Sequence, residues 1–329
     1  MNPVPQNPLR PRTFALLRWL ADGEFHSGEA MAGQLGLSRA SVHNALQEVG
    51  AYGLDLHRVR GRGYRLARPL YWLDAAAIKE QMAGAGALQL EIIDHATSTN
   101  AMLLQRAALG APSGSVLAAE WQSAGRGRLG RAWHAALGDA LTFSVLWRFA
   151  CGLGALSGLS LAVGVAVLRA LHELGVGEAS LKWPNDILLP EGKLAGILLE
   201  AQGDMLGPSA VVIGVGLNLN LSETARAAID QPAGALAAVP LRDRSRVLGI
   251  LLRHLWQVLH LFTAHGFAAL KAEWERGHAF QQREVRLSLP DGTTCAGRVL
   301  GVTDEGALRV ATAAGERVFH AGEISLRGG

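Results

Sequence analysis

The central part of the chain contains the sequence KWPNDILLPEGKLAGILLE at residues 182–200. Its second half, residues 194–200, is rich in apolar and β-forming side chains and predicts a buried strand. Lys193 lies directly before this strand and close to a turn, where its ammonium group can reach a ligand. A single lysine is ordinarily solvated, but the neighbouring Asn185 and Asp186 favour a role in holding a phosphoryl oxygen.

On both sides of this segment, from about Trp72 onward, predicted strands alternate with predicted helices. The strands are predicted at residues 90–93, 115–121, 141–147 and 211–217, and the long helices at residues 156–174 and 245–264. This order predicts a mixed sheet backed by helices. After Gln282 the chain changes to short alternating strands, which predict a small β-barrel-like tail. Its turns are predicted at residues 291–292, 304–306 and 314–315.

The composition is that of a globular protein with more than one domain. At 329 residues the chain suits two or three domains, and 49% apolar with 18% charged residues argue against a disordered chain. Two cysteines, Cys151 and Cys295, lie far apart and argue against a disulfide framework or a cysteine metal site, so a cytoplasmic location is expected. No apolar run follows the positive charges of the N-terminus, so no signal peptide is expected.

The uncharged stretch at residues 151–168 is just long enough to raise the question of a membrane span. Its serine, glycine and alanine content favours a buried core helix instead, and so does the fact that only one such stretch occurs. We therefore expect no membrane partner.

Positive charge is concentrated in the N-terminal fifth of the chain. Residues 1–68 contain nine arginines and five acidic residues, a net of +4, whereas the whole chain carries +3. A polyanion would be attracted to this part. Three short helical patterns lie here, the first around residues 13–21 and the others after the capping-type residues Ser27 and Ser38.

The third of these patterns and the hairpin after it predict a winged helix-turn-helix. Val42, Leu46 and Val49 recur at helical spacing and should face inward. A hairpin is predicted over residues 54–66, with two arginines in its turn at residues 60–63, which suits phosphate contacts. The predicted DNA contacts are Ser27, Ser38, Arg39, Ser41, His43, Asn44, Gln47, Arg60 and Arg62. The alternative is a small helical domain that packs on the rest of the chain with solvated arginines.

A loop rich in glycine and arginine, QSAGRGRLGR, occupies residues 122–131. Its glycines let the backbone approach a ligand and its arginines supply fixed charge, so it suits phosphate or a carboxylate about to meet phosphate. It lacks the GK[ST] ending of a P-loop and the strand–helix context of a dinucleotide site. The alternative is a flexible basic surface loop. Trp133, just beyond it, is either a core anchor or an aromatic platform for a base.

Two further segments place polar side chains beside predicted strands. Ser98, Thr99 and Asn100 follow an apolar strand, where they either cap the next helix or bind a polar ligand head. In GVGLNLN, residues 214–220, two glycines within a strand indicate the close approach of a ligand, with Asn218 as a polar contact. Bulged strand geometry without a ligand is the alternative there.

These segments occur in an order that resembles the motifs of biotin protein ligases. The order is STN, then QSAGRGRLGR with a tryptophan after it, then KWPND, then KLAGIL six residues later, then GVGLN. Upstream, GEFHSGE, LGLSRASV and RGRGY resemble the winged helix of the bifunctional subgroup, which also represses biotin synthesis genes. The closing GEISLR resembles the end of that family's C-terminal domain, so the resemblance covers almost the whole chain.

The resemblance implies an α+β protein of three domains. These are a winged helix-turn-helix DNA-binding domain at residues 1–68, a class II synthetase-like catalytic domain with a mixed sheet and helices at residues 72–278, and an SH3-like β-barrel at residues 280–329. It also implies an operator DNA partner, which such proteins contact as two-fold dimers, so a homodimer is expected in the adenylate-bound state.

The same resemblance implies the reaction. The carboxylate of biotin attacks the α-phosphate of ATP to give biotinyl-5'-AMP and pyrophosphate, and a lysine of biotin carboxyl carrier protein then displaces AMP. Mg²⁺ is expected with the ATP, because the triphosphate brings its own ligands and needs few from the protein. No metal site formed by protein side chains is expected.

Roles for the candidate site residues follow from their places in the motifs. Lys193 and Arg126 are implied as catalytic. The implied biotin contacts are Ser98, Thr99, Asn100, Gln122, Arg126, Gly127, Arg128, Lys193 and Gly196. The implied ATP and adenylate contacts are Arg128, Arg131, Trp133, Lys182, Asn185 and Asn218.

Two features depart from the family pattern, and two other functions stay open. The recognition helix SRASVHNALQEVG has no lysine and a single arginine, Arg39, which weakens the expected phosphate contact unless the wing arginines compensate. Leu129 stands where another arginine would fit. The open alternatives are a lipoate or octanoate ligase built on the same sheet, and a transcription factor that senses biotin without ligating it.

Overall fold

The computed structural model describes residues 11–86, 88–222, 225–226, 229, 231–289, 293–320 and 325–328. These residues form an N-terminal helical domain, a central sheet covered by helices, and a C-terminal antiparallel sheet. One hydrophobic cluster fills the N-terminal domain, and a larger one runs through the central and C-terminal parts. The arrangement confirms the predicted fold class.

Three helices and a two-stranded hairpin form the N-terminal domain. They are α1 (Pro11–Trp19), α2 (Gly28–Leu35), α3 (Arg39–Gln47), β1 (Leu56–Val59) and β2 (Gly63–Leu66). The hydroxyls of Ser27 and Ser38 cap α2 and α3 by accepting hydrogen bonds from amides three residues further on, both at 3.0 Å. The predicted helix-turn-helix and wing are confirmed. Val49 lies beyond α3 in a 3₁₀ turn, Val49–Tyr52, and is buried as predicted.

The central part of the chain contributes nine strands to two sheets. They are β3 (Gln89–Ala96), β4 (Ser115–Gln122), β5 (Gly125–Arg126), β6 (Ala132–Trp133), β7 (Ala140–Phe149), β8 (Ser180–Lys182), β9 (Asp186–Leu189), β10 (Gly192–Gly203) and β11 (Ser209–Asn218). Seven of them form one sheet in the order β3-β4-β7-β11-β10-β9-β8, while β5 and β6 form a separate hairpin. Because β3 and β4 run parallel and the other neighbours antiparallel, the predicted mixed sheet is confirmed.

Within the described ranges, five helices cover the sheet. They are α4 (Ala75–Gln81), α5 (Thr99–Ala108), α6 (Leu159–Glu173), α7 (Arg244–His265) and α8 (Ala268–Gly277). The predicted helix at residues 156–174 is α6, but it begins three residues later than predicted. Gly158 has a φ of +83° and separates α6 from a 3₁₀ turn at Leu153–Leu156. A Cβ atom there would lie 2.6 Å from Cβ of Phe267, so the chain must change direction at a residue without a side chain.

Two helical segments, Leu153–Glu173 and Leu241–His265, are long and apolar enough to cross a membrane by length and composition. In each segment, 56% of the most apolar stretch of 18 residues is buried inside the protein. The side chains of α6 and α7 belong to the main hydrophobic cluster. This burial agrees with the predicted core helix and accounts for the apolar character of both segments.

The C-terminal sheet is antiparallel and attached to the main core. Its strands are β12 (Glu284–Ser288), β13 (Thr294–Val302), β14 (Leu308–Thr312), β15 (Gly315–Phe319) and β16 (Ser325–Gly328), in the order β15-β14-β13-β12-β16. Buried and exposed side chains alternate along β12, and Val285 on this strand and Val299 on β13 are both buried in the central cluster. The predicted turn at residues 304–306 is present, the one at 314–315 begins one residue earlier, and the one at 291–292 lies outside the described residues.

The N-terminal domain packs on the segment that connects β6 to β7. Leu137 of that segment is fully buried in the N-terminal core, and its amide donates to the carbonyl of Tyr52 at 2.9 Å. Nearby, the guanidinium of Arg244 and the carboxylate of Glu120 form an ion pair that is almost fully buried. Arg244 also donates to the carbonyl of Tyr71, in the linker between the two domains. The domain therefore packs on the body, while the turn of its wing stays exposed.

Candidate active site

A cavity of about 810 Å³ lies where β3, β4 and β11 end and β10 begins. The structure brings every residue predicted for the ligand sites of the central domain to its wall. They are Ser98, Thr99, Asn100, Gln122, Arg126, Gly127, Arg128, Arg131, Trp133, Lys182, Asn185, Lys193, Gly196 and Asn218. Residues separated by more than 100 positions in the chain therefore share one site.

A buried cluster of neutral polar groups forms one end of the cavity. The Thr99 amide and hydroxyl donate to Oε1 of Gln122 at 2.7 and 3.1 Å. Oγ of Ser144 lies 2.7 Å from Oγ1 of Thr99 and 2.6 Å from Oδ1 of Asn100. Ser98 caps α5 by accepting a hydrogen bond from an amide three residues on. The segment thus caps a helix, as one interpretation predicted, and it also lines the cavity. Its binding of a polar ligand head stays a prediction. Such a cluster can orient a neutral polar ligand.

Glu200 connects this cluster to the arginine loop. Nδ2 of Asn100 donates to Oε2 of Glu200 at 2.9 Å, and Nη2 of Arg126 donates to the same carboxylate at 3.0 and 3.2 Å. The side chain of Arg126 is 46% exposed, so this ion pair lies at the rim of the cavity. Gly214 packs beneath Asn100, where a Cβ atom would collide with Oδ1 of Asn100. This close approach explains one of the two glycines in β11.

The arginine loop folds back as the hairpin of β5 and β6, with Arg128 at its inner side. Nη1 of Arg128 donates to Oδ1 of Asn185 at 3.1 Å. Burial lowers the pKa of Arg128, and the nearby charge of Arg131 acts in the same direction, whereas Asp186 opposes them. A guanidinium that has lost part of its hydration gains more from a bound anion than one in water. Arg128 therefore has a stronger electrostatic reason to bind an anion than the exposed Arg126.

At the tip of this loop Leu129 has a φ of +56° and is 59% exposed. A non-glycine residue in this conformation is uncommon, and no local pattern predicts it here. The loop therefore presents an apolar side chain to solvent at the point where the family pattern would allow an arginine.

The ammonium group of Lys193 lies 2.6 Å from Oδ1 of Asp186, and both side chains are largely buried, at 19% and 15% exposed. Asn185 fixes this pair to β10 through two hydrogen bonds with Ile197. Its side-chain Nδ2 donates to the Ile197 carbonyl at 2.8 Å, and its backbone carbonyl accepts from the Ile197 amide at 3.0 Å. The KWPND segment thus carries partners of two of the cavity cations, Asn185 for Arg128 and Asp186 for Lys193. A peptide bond in the cis form joins Trp183 to Pro184.

Trp133 covers the glycines of the neighbouring strands. A Cβ atom at Gly216 would lie 2.6 to 3.0 Å from atoms of its ring, and one at Gly196 would lie 3.5 Å from it. Within the described part of the chain, the buried indole nitrogen of Trp133 has no hydrogen-bond partner. Asn218 is buried, and its amide group donates to the Gly234 carbonyl at 3.1 Å. Asn218 therefore also braces the wall of the cavity, a role that the sequence did not indicate.

Three comparisons with known proteins agree with this geometry. The family model described as "Biotin/lipoate A/B protein ligase family" matches residues 92–218, "HTH domain" matches 12–65, and "Biotin protein ligase C terminal domain" matches 283–327. The "Bifunctional ligase/repressor BirA" of Escherichia coli is 37% identical over 95% of this chain and 96% of its own length. The protein of the same name from Bacillus subtilis is 30% identical over 93% and 95%.

The chain belongs to the biotin protein ligase family.

A solved structure of this family supports the assignment for the enzyme half. The biotin protein ligase of Aquifex aeolicus, in complex with biotin and ATP, superposes with a TM-score of 0.62 at 29% identity. The match covers 73% of this chain and 99% of that one. The biotin–[acetyl-CoA-carboxylase] ligase of Mycobacterium tuberculosis is 37% identical over 77% of this chain and 95% of its own.

In this ligase, two residues that the motifs did not indicate, Ser144 and Glu200, lie behind the cavity wall and contact its Asn100. Ser144 lies on β7 next to β11, and Glu200 lies seven residues after Lys193 on β10. Neither position carries a sequence signal of its own, because their proximity to Asn100 depends on how the strands pair. Among the described residues no group of three or more His, Cys, Asp or Glu side chains could hold a metal ion.

The predicted DNA contacts of the ligase lie on α2, α3 and the wing. Arg39, Asn44, Gln47, Arg60 and Arg62 are exposed. The other four predicted contacts also bond within the domain. Ser27 caps α2, and Ser38 caps α3 by bonding to Ser41. Nδ1 of His43 lies 3.2 Å from the Tyr64 hydroxyl. The guanidinium of Arg62 stacks 4.2 Å from the ring centre of Phe25. Their roles toward DNA stay predictions.

Proposed function

We propose that this protein is an ATP-dependent biotin–protein ligase that forms biotinyl-5'-AMP and transfers biotin to a lysine of biotin carboxyl carrier protein. We also propose that it binds operator DNA and represses biotin synthesis genes. The proposal keeps the three-domain division at residues 1–68, 72–278 and 280–329. The observation that carries it is a single cavity in which a neutral polar cluster lies at one end and two cations, Arg128 and Lys193, line the wall.

The polar cluster suits the ureido head of biotin. That head is neutral and offers both N–H donors and a carbonyl acceptor, and the cavity wall offers hydroxyl and amide groups from Thr99, Asn100 and Gln122. The buried Ser144 hydroxyl holds Thr99 and Asn100 in place from behind. Since these groups already orient one another, they lose little freedom when the head binds. With the head held there, the valeryl chain would direct its carboxylate toward Arg126, Arg128 and Lys193.

The first reaction joins two anions, so its main electrostatic demand is the stabilisation of negative charge. A carboxylate oxygen forms a bond to the α-phosphorus while the bond to the β-phosphate oxygen breaks, and pyrophosphate leaves. Lys193 and Arg128 are the groups that can hold the carboxylate and the transferring phosphoryl group in line and lower their repulsion. Trp133 would pack on adenine, with Asn185, Arg131, Lys182 and Asn218 on the nucleotide side.

In the second reaction the neutral amine of the acceptor lysine attacks the carbonyl carbon of the mixed anhydride. The C–N bond forms, the C–O bond to AMP breaks, and AMP leaves with the negative charge that Arg128 and Lys193 stabilise. The amine loses its proton to solvent. A cavity that retains the adenylate between the two reactions protects it from water.

Mg²⁺ is proposed to enter with ATP. Among the described residues of the cavity wall Asp186 is the one carboxylate, and it is paired with Lys193. The protein therefore offers few ligands, which fits a cation held mainly by the triphosphate and water. Mg²⁺ would neutralise phosphate charge, while the orientation of the substrates depends on the side chains described above.

The ligase activity is tested by incubating the full chain with ATP, Mg²⁺, labelled biotin and a purified biotin carboxyl carrier domain. We expect the label to appear on the carrier domain, and an excess of unlabelled lipoate to leave the labelling unchanged. Labelling that lipoate suppresses would favour the lipoate ligase alternative instead.

Repression would require a partner subunit as well as operator DNA. An operator palindrome is contacted by a two-fold dimer, so we propose a homodimer in the adenylate-bound state. β3 is at the edge of the described sheet and is a candidate for the contact. The cysteines Cys151 and Cys295 are free thiols, which fits the proposed cytoplasmic location.

Removing the two wing arginines should weaken DNA binding without affecting ligation. In R60A/R62A we expect the affinity for operator DNA to fall about 10- to 100-fold, and the slope of log K against log salt to decrease by about 2, because two phosphate contacts are lost. Gel shifts over a range of salt concentrations measure both. The matched control is R286A/R298A, which removes two exposed arginines of the C-terminal sheet. Equal losses in the two variants would mean that DNA responds only to net charge and that the wing is not a specific contact.

A further inference from the structure

Trp183, the second residue of the KWPND segment, connects the C-terminal sheet to the cavity. Its side chain is 1% exposed, and it also contributes to the cavity wall. The indole nitrogen donates a hydrogen bond to the carbonyl of Gly306 at 3.1 Å. Gly306 belongs to the turn between β13 and β14, so a residue of the cavity wall is anchored on the C-terminal sheet.

The turn that supplies this carbonyl is itself fixed in place. The Gly306 amide donates to the Thr303 carbonyl at 3.0 Å, and Lys271 of α8 pairs with Asp304 at 2.8 Å. Gly306 has a φ of +81°, and a Cβ atom there would lie 2.9 Å from both the Cα of Gly158 and Cδ1 of Leu161. The turn therefore packs against the start of α6 with no space for a side chain.

Each of the three residues that follow Trp183 contacts a group outside the segment. Oγ of Ser160 donates to the Pro184 carbonyl at 3.1 Å. Asn185 accepts from Arg128, and Asp186 pairs with Lys193. The first of these partners lies on α6, and the other two are cations of the cavity wall.

We propose that Trp183 is a positioning residue for adenylate formation. Its hydrogen bond to Gly306 fixes the position of residues 184–186 relative to the C-terminal turn. Through Asn185 and Asp186, this bond then fixes the positions of the Arg128 and Lys193 side chains. The role rests on the proposed ligase function. A shift of the order of 1 Å in groups that align reacting atoms can cost about 100-fold in rate.

The test compares W183F with W147F. Both changes replace a buried tryptophan by phenylalanine and remove one indole hydrogen bond. In W147F the lost bond is the one to Oγ1 of Thr263, at 3.2 Å, and Trp147 is not part of the cavity wall. We expect W183F to form adenylate about 10- to 100-fold more slowly in single turnovers at saturating ATP and biotin. We expect W147F to stay within about 3-fold of the wild type, and the dissociation constant for biotin to change by less than about 2-fold in both, since the polar cluster is untouched.

Amide hydrogen exchange gives a second readout that does not depend on activity. The Ile197 amide donates to the Asn185 carbonyl at 3.0 Å, so its exchange reports the place of the KWPND segment. We expect faster exchange at Ile197 in W183F and wild-type exchange in W147F. Unchanged exchange at Ile197, or equal rate losses in the two variants, would overturn the positioning role. A wild type that forms no adenylate would instead overturn the ligase function, and the exchange at Ile197 would still decide the positioning role.

Discussion

Replacing Lys193 by alanine is expected to slow the formation of biotinyl-adenylate by about 100- to 1,000-fold, the range typical for loss of one group that stabilises transition-state charge. The ammonium group is largely buried and faces the cavity, and its removal leaves the Asp186 carboxylate there without its counter-ion. The remaining negative charge would repel both biotin and ATP. The measurement is the single-turnover release of pyrophosphate with biotin and ATP at saturation.

A double-mutant cycle with D186N separates catalysis by Lys193 from simple neutralisation of Asp186. If Lys193 stabilises the transferring phosphoryl group, K193A/D186N stays as slow as K193A, although no unpaired carboxylate remains. A double variant that recovers to the rate of D186N would mean that Lys193 acts only as the partner of Asp186. A wild-type rate in K193A would refute its role altogether, and would favour a sensor that binds biotin without ligating it.

Replacing Arg128 by alanine should release the adenylate faster than the same change at Arg126. We expect about 100-fold faster dissociation in R128A, because a partly desolvated charge-assisted contact to the phosphate is lost, and roughly 10-fold or less in R126A. The difference follows from burial, since burial lowers the pKa of Arg128 while Arg126 is 46% exposed and already paired with Glu200.

The dissociation of labelled biotinyl-adenylate from each variant measures this order. Wild-type dissociation rates in both R126A and R128A would mean that the loop is a solvated basic surface, as the alternative interpretation of its sequence holds. Equal accelerations in the two variants would contradict the expected effect of burial. A larger effect in R126A would mean that Arg126 leaves Glu200 when the adenylate binds.

Much of the fold could be predicted from local patterns. Alternation and helical spacing predicted the winged helix-turn-helix, the core helix α6 and the sheet strands β3, β4, β7, β10 and β11, because those patterns reflect which face of each element is buried. The short strands β8 and β9 of the same sheet were not predicted. The boundaries were less accurate. Helix α6 begins at residue 159, three residues later than predicted. The cause is that only a glycine fits against Phe267 at position 158, and this packing exists only in the folded chain. Helices α4 and α8 were not predicted, because short amphipathic helices carry weaker patterns.

The wall of the cavity was predictable as a set of residues, but its internal connections were not. The residues predicted for the ligand sites all line one cavity, whereas the contacts among them depend on strand pairing. Ser144 reaches Asn100 because β7 lies beside β11, and Glu200 reaches Arg126 across the end of β10. The contact of Trp183 with Gly306 joins residues 123 positions apart. No local pattern encodes such a contact, although the Trp-Pro-Asn-Asp run did mark the segment as unusual.

The two halves of the protein differ in how directly the sequence supports them. The enzyme half combines four ordered motifs in one cavity, and each motif supplies a chemically distinct group. The DNA-binding half has the expected fold, but α3 carries Arg39 as its one arginine and no lysine. We therefore expect phosphate contacts to come largely from the wing, which is why the paired change at Arg60 and Arg62 is informative.

The most direct test of the central claim is the transfer of labelled biotin to a purified biotin carboxyl carrier domain, with ATP and Mg²⁺, by the wild type and by K193A. We expect the wild type to label one lysine of the carrier domain, the label to require ATP, and excess lipoate not to reduce it. We expect K193A to label the carrier at a small fraction of that rate. No labelling by the wild type at saturating biotin, ATP and carrier would show that this protein is not a biotin–protein ligase.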